Sequence, residues 1–214
     1  MTATYHARRD DAGRRVLIRH PSTPTPPASW SDPAAVALFV PNGPAPAVLN
    51  GIAMTPWSPS EAAGAWEALG SAQPLDEPPF AVPAGLKPAA GVVLIEPDLR
   101  VFLAHPSNGF GGVAHVVPKG RIDPGGTSAA TALREAWEEL GLLAELTDQL
   151  VDVPRSVTYT RYYVGKRIDG SPSCMQWESQ AVVLCPPARL PALLNGPHDG
   201  PLVAALLRYL GAGR

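Results

Sequence analysis

Apolar positions recur with two different periods along the chain. Gly91-Val92-Val93-Leu94-Ile95 and Arg100-Val101-Phe102-Leu103-Ala104 are short apolar runs separated by Glu96-Pro97-Asp98-Leu99, which predicts two strands joined by a hairpin. Val113 to Val117 reads as another strand, running into Pro118-Lys119-Gly120. The period then becomes helical: Ala129, Leu133, Ala136 and Leu140 fall on one face suited to docking on a sheet. Thr127 or Ser128 can cap that helix, and Gly141 can end it.

Beyond it, Leu143 to Val153 and Ser156 to Lys166 predict strands, Asp169-Gly170-Ser171-Pro172 a turn, and Gln176 to Cys185 a further strand. Residues 187–195 and 199–210 predict helices, the second with Leu202, Ala205, Leu206 and Tyr209 on one side. Strands with one central helix and one or two terminal ones imply an α/β fold, an α/β/α sandwich with a mixed sheet.

The first 86 residues follow a looser pattern. Arg15 to Arg19 and Val36 to Val40 predict strands, and Ala47 to Met54 a third that would make residues 36–54 a hairpin about Asn42-Gly43-Pro44. Pro59 to Leu69 predicts a short helix, with Ala62, Ala65, Trp66 and Leu69 on its apolar side. Pro-rich segments at 21–33 and 71–88 read as extended connections. We expect residues 1–86 to form an N-terminal extension or small accessory domain of strands and one helix, and residues 87–214 the main domain. Trp30, Trp57 and Trp66 read as packing residues, and no chemistry is apparent in the extension.

Composition narrows the picture. The 214 residues include 26 Pro and 20 Gly, and turns are accordingly frequent. Net charge is −2 with no dominant basic patch, so no nucleic-acid backbone is expected as a partner. The 2 cysteines, Cys174 and Cys185, make neither a disulfide framework nor a zinc site and fit a reducing compartment. No apolar leader core stands in residues 1–15 and no run is long enough to span a membrane, so a cytoplasmic protein is expected.

The chemistry concentrates between Lys119 and Leu142. Glu135, Glu138 and Glu139 stand at i, i+3 and i+4 and share one helical face. Carboxylates crowded in this way repel one another, and their oxygens suit hard cations such as Mg²⁺ or Mn²⁺.

This stretch resembles the signature of the Nudix hydrolases: Gly, five residues, Glu, seven residues, then Arg-Glu-aliphatic-x-Glu-Glu-x-Gly-aliphatic. Gly120, Arg134, Glu135, Ala136, Glu138, Glu139, Gly141 and Leu142 match, whereas Gly126 stands where the family has its first Glu. The layout is similar to a bacterial subgroup with such an extension and a Trp-Glu-Ser-Gln segment, in which that Glu is generally lacking. The resemblance implies a Nudix-type sandwich over residues 87–214 that cleaves a diphosphate bond in a nucleoside diphosphate linked to another moiety, using Mg²⁺ or Mn²⁺. It implies Glu135, Glu138 and Glu139 as metal ligands, with the main-chain carbonyl of Lys119 or Gly120. Arg134 would orient a carboxylate, and the general base would be Glu178 or Glu135. Tyr159, Arg161, Tyr162 and Lys119 are expected to meet substrate by stacking and charge, whereas the loop at 107–112 reads as a turn in preference to a phosphate contact through its amides. Tyr159 lies 17 residues after Leu142 (159 − 142), a placement similar to that in members acting on dinucleoside polyphosphates. ADP-ribose, nucleotide sugars and diphosphoinositol polyphosphates are the alternative substrates. Family members often pair, so a homodimer is expected. Gly126 keeps open a second reading, a ligand-sensing module of weak turnover.

Overall fold

The computed structural model of the chain describes residues 3–73, 75–109 and 112–212. In chain order the strands are β1 (Tyr5–Arg9), β2 (Arg15–Leu17), β3 (Ala37–Phe39), β4 (Val48–Leu49), β5 (Ile52–Ala53), β6 (Lys87–Leu94), β7 (Val101–Pro106), β8 (Lys119–Arg121), β9 (Leu142–Pro154), β10 (Thr158–Gly170) and β11 (Ser179–Cys185). The helices are α1 (Ala28–Ser31), α2 (Ala65–Ser71), α3 (Ser128–Leu140), α4 (Leu190–Leu193) and α5 (Gly200–Ala212).

Two sheets form the middle layer. One is four-stranded in the order β8-β6-β10-β9, and the other three-stranded in the order β3-β11-β7. The first is mixed, because β10 runs parallel to β6 and antiparallel to β9. β6 passes to β7 through the Glu96–Leu99 turn, where Leu99 takes a φ of 69° and its amide donates to the Glu96 carbonyl at 2.8 Å.

Alternation along the strands divides the core in two. Val92 and Leu94 of β6, Tyr163 of β10 and Val182 and Leu184 of β11 face α3, meeting Ala132, Leu133, Ala136 and Leu140. Val93, Val101, Leu103, Tyr162 and Val183 point the other way, toward Leu202, Leu206 and Leu210 of α5. Helices thus cover both faces, which makes an α/β/α sandwich.

The N-terminal residues are interwoven with this frame. β3 pairs antiparallel with β11, and Trp30, 2% exposed, belongs to the α3-side core. Buried arginines hold these passes in place. Arg100 donates to the carbonyls of Ser29 and Trp30, and Arg167 to those of Leu49 and Ala53. Each guanidinium also has a carboxylate, Asp98 for Arg100 and Glu96 for Arg167.

Several element boundaries differ from the sequence reading. Val113–Val117 forms no strand; Val116 alone bridges Ala104. Pairing resumes at Lys119, where Gly91 lets the backbone approach: a Cβ on Gly91 would fall 2.4 Å from the Pro118 carbonyl oxygen. The expected hairpin over 36–54 shrinks to β4–β5, because Ala37 and Phe39 are fully apolar and buried against β11 instead. α2 starts at Ala65, after Gly64 at a φ of 79°. Pro172–Cys174 makes a 3-10 turn, so the last strand begins only at Ser179. No helix among the described residues is long and apolar enough to cross a membrane.

Candidate active site

The loop into α3 turns at Gly125, at a φ of 84°, and the Gly126 amide closes it by donating to the Asp123 carbonyl at 2.9 Å. Thr127 is the N-cap; its Oγ1 accepts from the Ala130 amide at 3.2 Å. The helix ends at Gly141, at a φ of 74°, whose Cβ would fall 2.3 Å from the Ser171 carbonyl oxygen. That close approach brings the next segment against the helix end, where the Gln176 amide donates to the Glu138 carbonyl at 2.7 Å. Glu178 follows two residues later, its carbonyl accepting from the Ser107 amide at 2.8 Å. Two elements distant in sequence are thereby fastened side by side.

The carboxylates on α3 have different surroundings. Glu135 is 4% exposed and lies against Gly120, where a Cβ would fall 1.9 Å from its Oε1. The glycine of the loop makes room for the acid of the helix. Arg134 reaches Glu135 at 3.1 Å and Glu138 at 2.9 Å, and also donates to the Arg121 carbonyl at 3.2 Å. Glu139 is 8% exposed, and its Oε2 is buried without a hydrogen-bond partner.

Electrostatics mark the same cluster. Burial, reinforced by the neighbouring Glu139, pushes the Glu135 carboxyl up to about 8 against the opposing pull of Arg134. Burial pushes Glu139 up to about 7, with Lys119 pulling it back and Glu178 adding repulsion. Glu138 is raised by burial too, and again Glu178 contributes. The Glu178 charge thus acts on all three helix carboxylates.

A cleft of about 260 Å³ opens beside these groups, lined by Glu139, Lys119, Glu178, Trp177 and Asn108. A roomier hollow of about 380 Å³ between Phe39, Met54 and Met175 has no carboxylate in its lining. Among the described residues, no three acidic, imidazole or thiol groups are already closed into a single coordination shell. The donors nevertheless fit a hard divalent cation. They are carboxylate oxygens, they are desolvated and mutually repelling, and the orphaned Oε2 of Glu139 lacks the partner that buried polar atoms nearly always have.

The expected substrate residues fare differently. Lys119 lines the cleft. Tyr159 stacks on Phe80 at 5.6 Å and 15°. The readings of Arg161 and Tyr162 need correction. β10 is an inner strand covered on both faces, so its side chains enter packed layers. Arg161, 1% exposed, spends its fork on Asp152 and Glu77, and Tyr162, also 1% exposed, sits in the α5-side core accepting from Arg155 at 3.2 Å. Of the loop at 107–112, Phe110 and Gly111 lie outside the described residues.

Two groups from the N-terminal segment also reach the site, and neither has a local sequence signal. Asp11 Oδ1 accepts from the Trp177 indole at 3.1 Å. Glu67 of α2 accepts from the Thr127 amide at 3.2 Å and from its hydroxyl at 2.8 Å.

Known proteins share parts of this sequence and of this fold. An RNA pyrophosphohydrolase of Erythrobacter litoralis is 39% identical over 70 residues, 33% of this chain and 43% of that protein. One from Novosphingobium aromaticivorans is 43% identical over 65 residues, 29% of this chain and 40% of that protein. The chain thus spans less than half the length of the curated relatives it matches. A NUDIX hydrolase structure from Nitrosomonas europaea superposes with a TM-score of 0.48 at 18% identity, covering 60% of this chain and 90% of that one. Residues 85–206, more than half of the chain and containing both α3 and Glu178, match the NUDIX domain, so the chain belongs to the Nudix family.

Proposed function

We propose that the chain is a divalent-metal-dependent hydrolase that cleaves a diphosphate bond in a nucleoside diphosphate linked to another moiety, a dinucleoside polyphosphate foremost. The observation that carries this reading is the crowding of Glu135, Glu138, Glu139 and Glu178, whose charges act on one another, with Glu139 and Glu178 lining one cleft and the Glu139 Oε2 unpartnered. A pure structural role gives no reason to desolvate like charges together.

In this reading Glu135, Glu138 and Glu139 hold Mg²⁺ or Mn²⁺, with the main-chain carbonyl of Lys119 or Gly120. The bound cation supplies charge neutralisation of the diphosphate and acidification of a water. Arg134 keeps Glu135 and Glu138 in place through its two ion pairs. Lys119 offers an ammonium to the phosphate oxygens from the cleft wall. Glu178 takes the proton as water adds to phosphorus and the bridging P–O bond breaks, with Glu135 as the alternative base. Proximity and charge account for most of the barrier lowering in such a transfer. Tyr159 is the proposed base contact, supported by its aromatic stack with Phe80. The buried free thiols Cys174 and Cys185 support a reducing, cytoplasmic setting.

The test is a panel of diadenosine polyphosphates, ADP-ribose, nucleotide sugars, diphosphoinositols and 5′-triphosphorylated RNA, each with Mg²⁺ or Mn²⁺, run beside Glu139→Gln. Phosphate-bearing products from the wild type alone are expected. No product from any member, with tight ligand binding retained, overturns the enzyme in favour of a sensing module.

A further inference from the structure

Gly126 occupies the loop position where the family signature has a carboxylate. Its backbone is not among the glycines with positive φ, so nothing in its conformation demands glycine. What lies beside it is informative. A Cβ built on Gly126 points to within 3.3 Å of Oε1 of Glu67. A carboxylate is therefore present at this place, delivered from the N-terminal segment rather than from the loop.

Glu67 is held there from several directions. Its two oxygens take the Thr127 amide and hydroxyl, and the same hydroxyl caps the Ala130 amide, so the acid is joined to the first turn of α3. Negative charge is favoured at that helix end. α2 packs so closely on α3 that a Cβ on Gly70 would fall 2.6 Å from the Ala130 nitrogen. Trp66 fixes the same helix between Trp57 and Trp137, each ring 6.1 Å away. Glu67 shares a hollow of about 370 Å³ with Asp123, Gly126 and Arg134, the arginine that grips Glu135 and Glu138.

We propose that Glu67 is a positioning residue: it supplies from α2 the carboxylate that position 126 lacks, and it sets the loop and first turn of α3 on which Arg134 and Glu135 depend. For its effect on turnover the inference rests on the diphosphate-hydrolase reading. For its effect on cation binding it needs only the carboxylate cluster.

The test exchanges the carboxylate between the two positions. Four proteins are compared: wild type, Glu67→Ala, Gly126→Glu, and the double variant Glu67→Ala/Gly126→Glu. Mn²⁺ affinity is read by electron paramagnetic resonance, Thr127 and Ala130 amide protection by hydrogen exchange, and kcat and KM on whichever substrate the wild type cleaves. Glu67→Ala is expected to weaken Mn²⁺ binding about tenfold, the scale for partners of metal ligands, and to lower kcat with KM within about twofold. The double variant should regain most of both. Gly126→Glu alone should bind more weakly than wild type, because it sets two carboxylates side by side. Glu67→Gln, which keeps the shape, should fall between and guards against a folding artefact. Mn²⁺ affinity within twofold of wild type in Glu67→Ala, with only faster amide exchange, would reduce Glu67 to a helix cap and overturn the proposal. So would a loss that Gly126→Glu fails to recover. If the wild type cleaves nothing, the hydrolase reading fails separately, and the Mn²⁺ series still decides the role of Glu67.

Discussion

The carboxylate of Glu135 fills the space that a side chain on Gly120 would need, 1.9 Å from the hypothetical Cβ. Gly120→Ala therefore displaces a buried acid and its Arg134 contact together. We expect Mn²⁺ affinity and any diphosphatase rate to fall about 100-fold. Equilibrium titration and initial rates check this, with unchanged far-ultraviolet circular dichroism as the control.

Glu139 is desolvated, attracted by Lys119 and repelled by Glu178 and Glu138, and burial with repulsion outweighs the attraction. Glu139→Gln removes that repulsion, so the cation-free protein should melt higher, at about 2–4 °C per kcal/mol gained. The same substitution should abolish the upward shift that Mn²⁺ gives the wild type. Thermal melts with and without the ion settle both halves. A lower melting point for the cation-free variant would mean that the attraction of Lys119 outweighs the repulsion.

His105 gives a pH signature on another flank. Burial, aided by the charges of His115 and His20, pushes its pKa from 6.5 down to about 4. Its ring lies 3.0 Å from the Ser22 hydroxyl and 5.3 Å from the His115 ring. Between the two pKa values the unfolded chain binds a proton that the folded chain does not. Stability is therefore lost as pH falls from 6.5 toward about 4, and regained as it rises. Glu135, raised from 4.5 to about 8, slopes the other way across that interval and overlaps the His105 window, so the comparison must be a difference. His105→Gln should flatten the acid limb of the stability curve, measured by urea unfolding from pH 4 to pH 7.

The Glu96–Arg167 pair is buried on both sides, with the nitrogen and oxygen 2.7 Å apart. Arg167→Met takes the arginine donor from the carbonyls of Leu49 and Ala53 and leaves the buried Glu96 carboxylate with the neutral Asn50 amide in place of its cation. A cost of about 3–5 kcal/mol is expected in denaturant titrations. Glu96→Leu/Arg167→Met together should cost less than Arg167→Met alone.

How legible all this is from the amino acids depends on the range of the interaction. α3 is readable because its stripe, its Thr127 cap and its terminal Gly141 are all local, and the i, i+3, i+4 spacing of Glu135, Glu138 and Glu139 fixes a common face. Arg161 and Tyr162 mislead because alternating aromatic and basic residues on a strand look solvent-facing until both sheet faces are covered. Glu67 is invisible because nothing near it in sequence resembles a site; only the docking of α2 on α3, across a separation of 60 residues, gives it meaning. The pairing of β3 with β11 is hidden for the same reason.

That pairing bears on solubility. β3 is three residues long, yet it closes one side of a strand whose residues are all buried. A shortened chain beginning at Lys87 would retain Glu135, Glu138, Glu139 and Glu178 but lose Glu67 and leave the main-chain donors and acceptors of Val182-Val183-Leu184 open along an apolar edge. Open edges of that kind template pairing with other copies. Such a fragment is expected to aggregate, and its inactivity would then report a lost edge guard as well as the loss of Glu67.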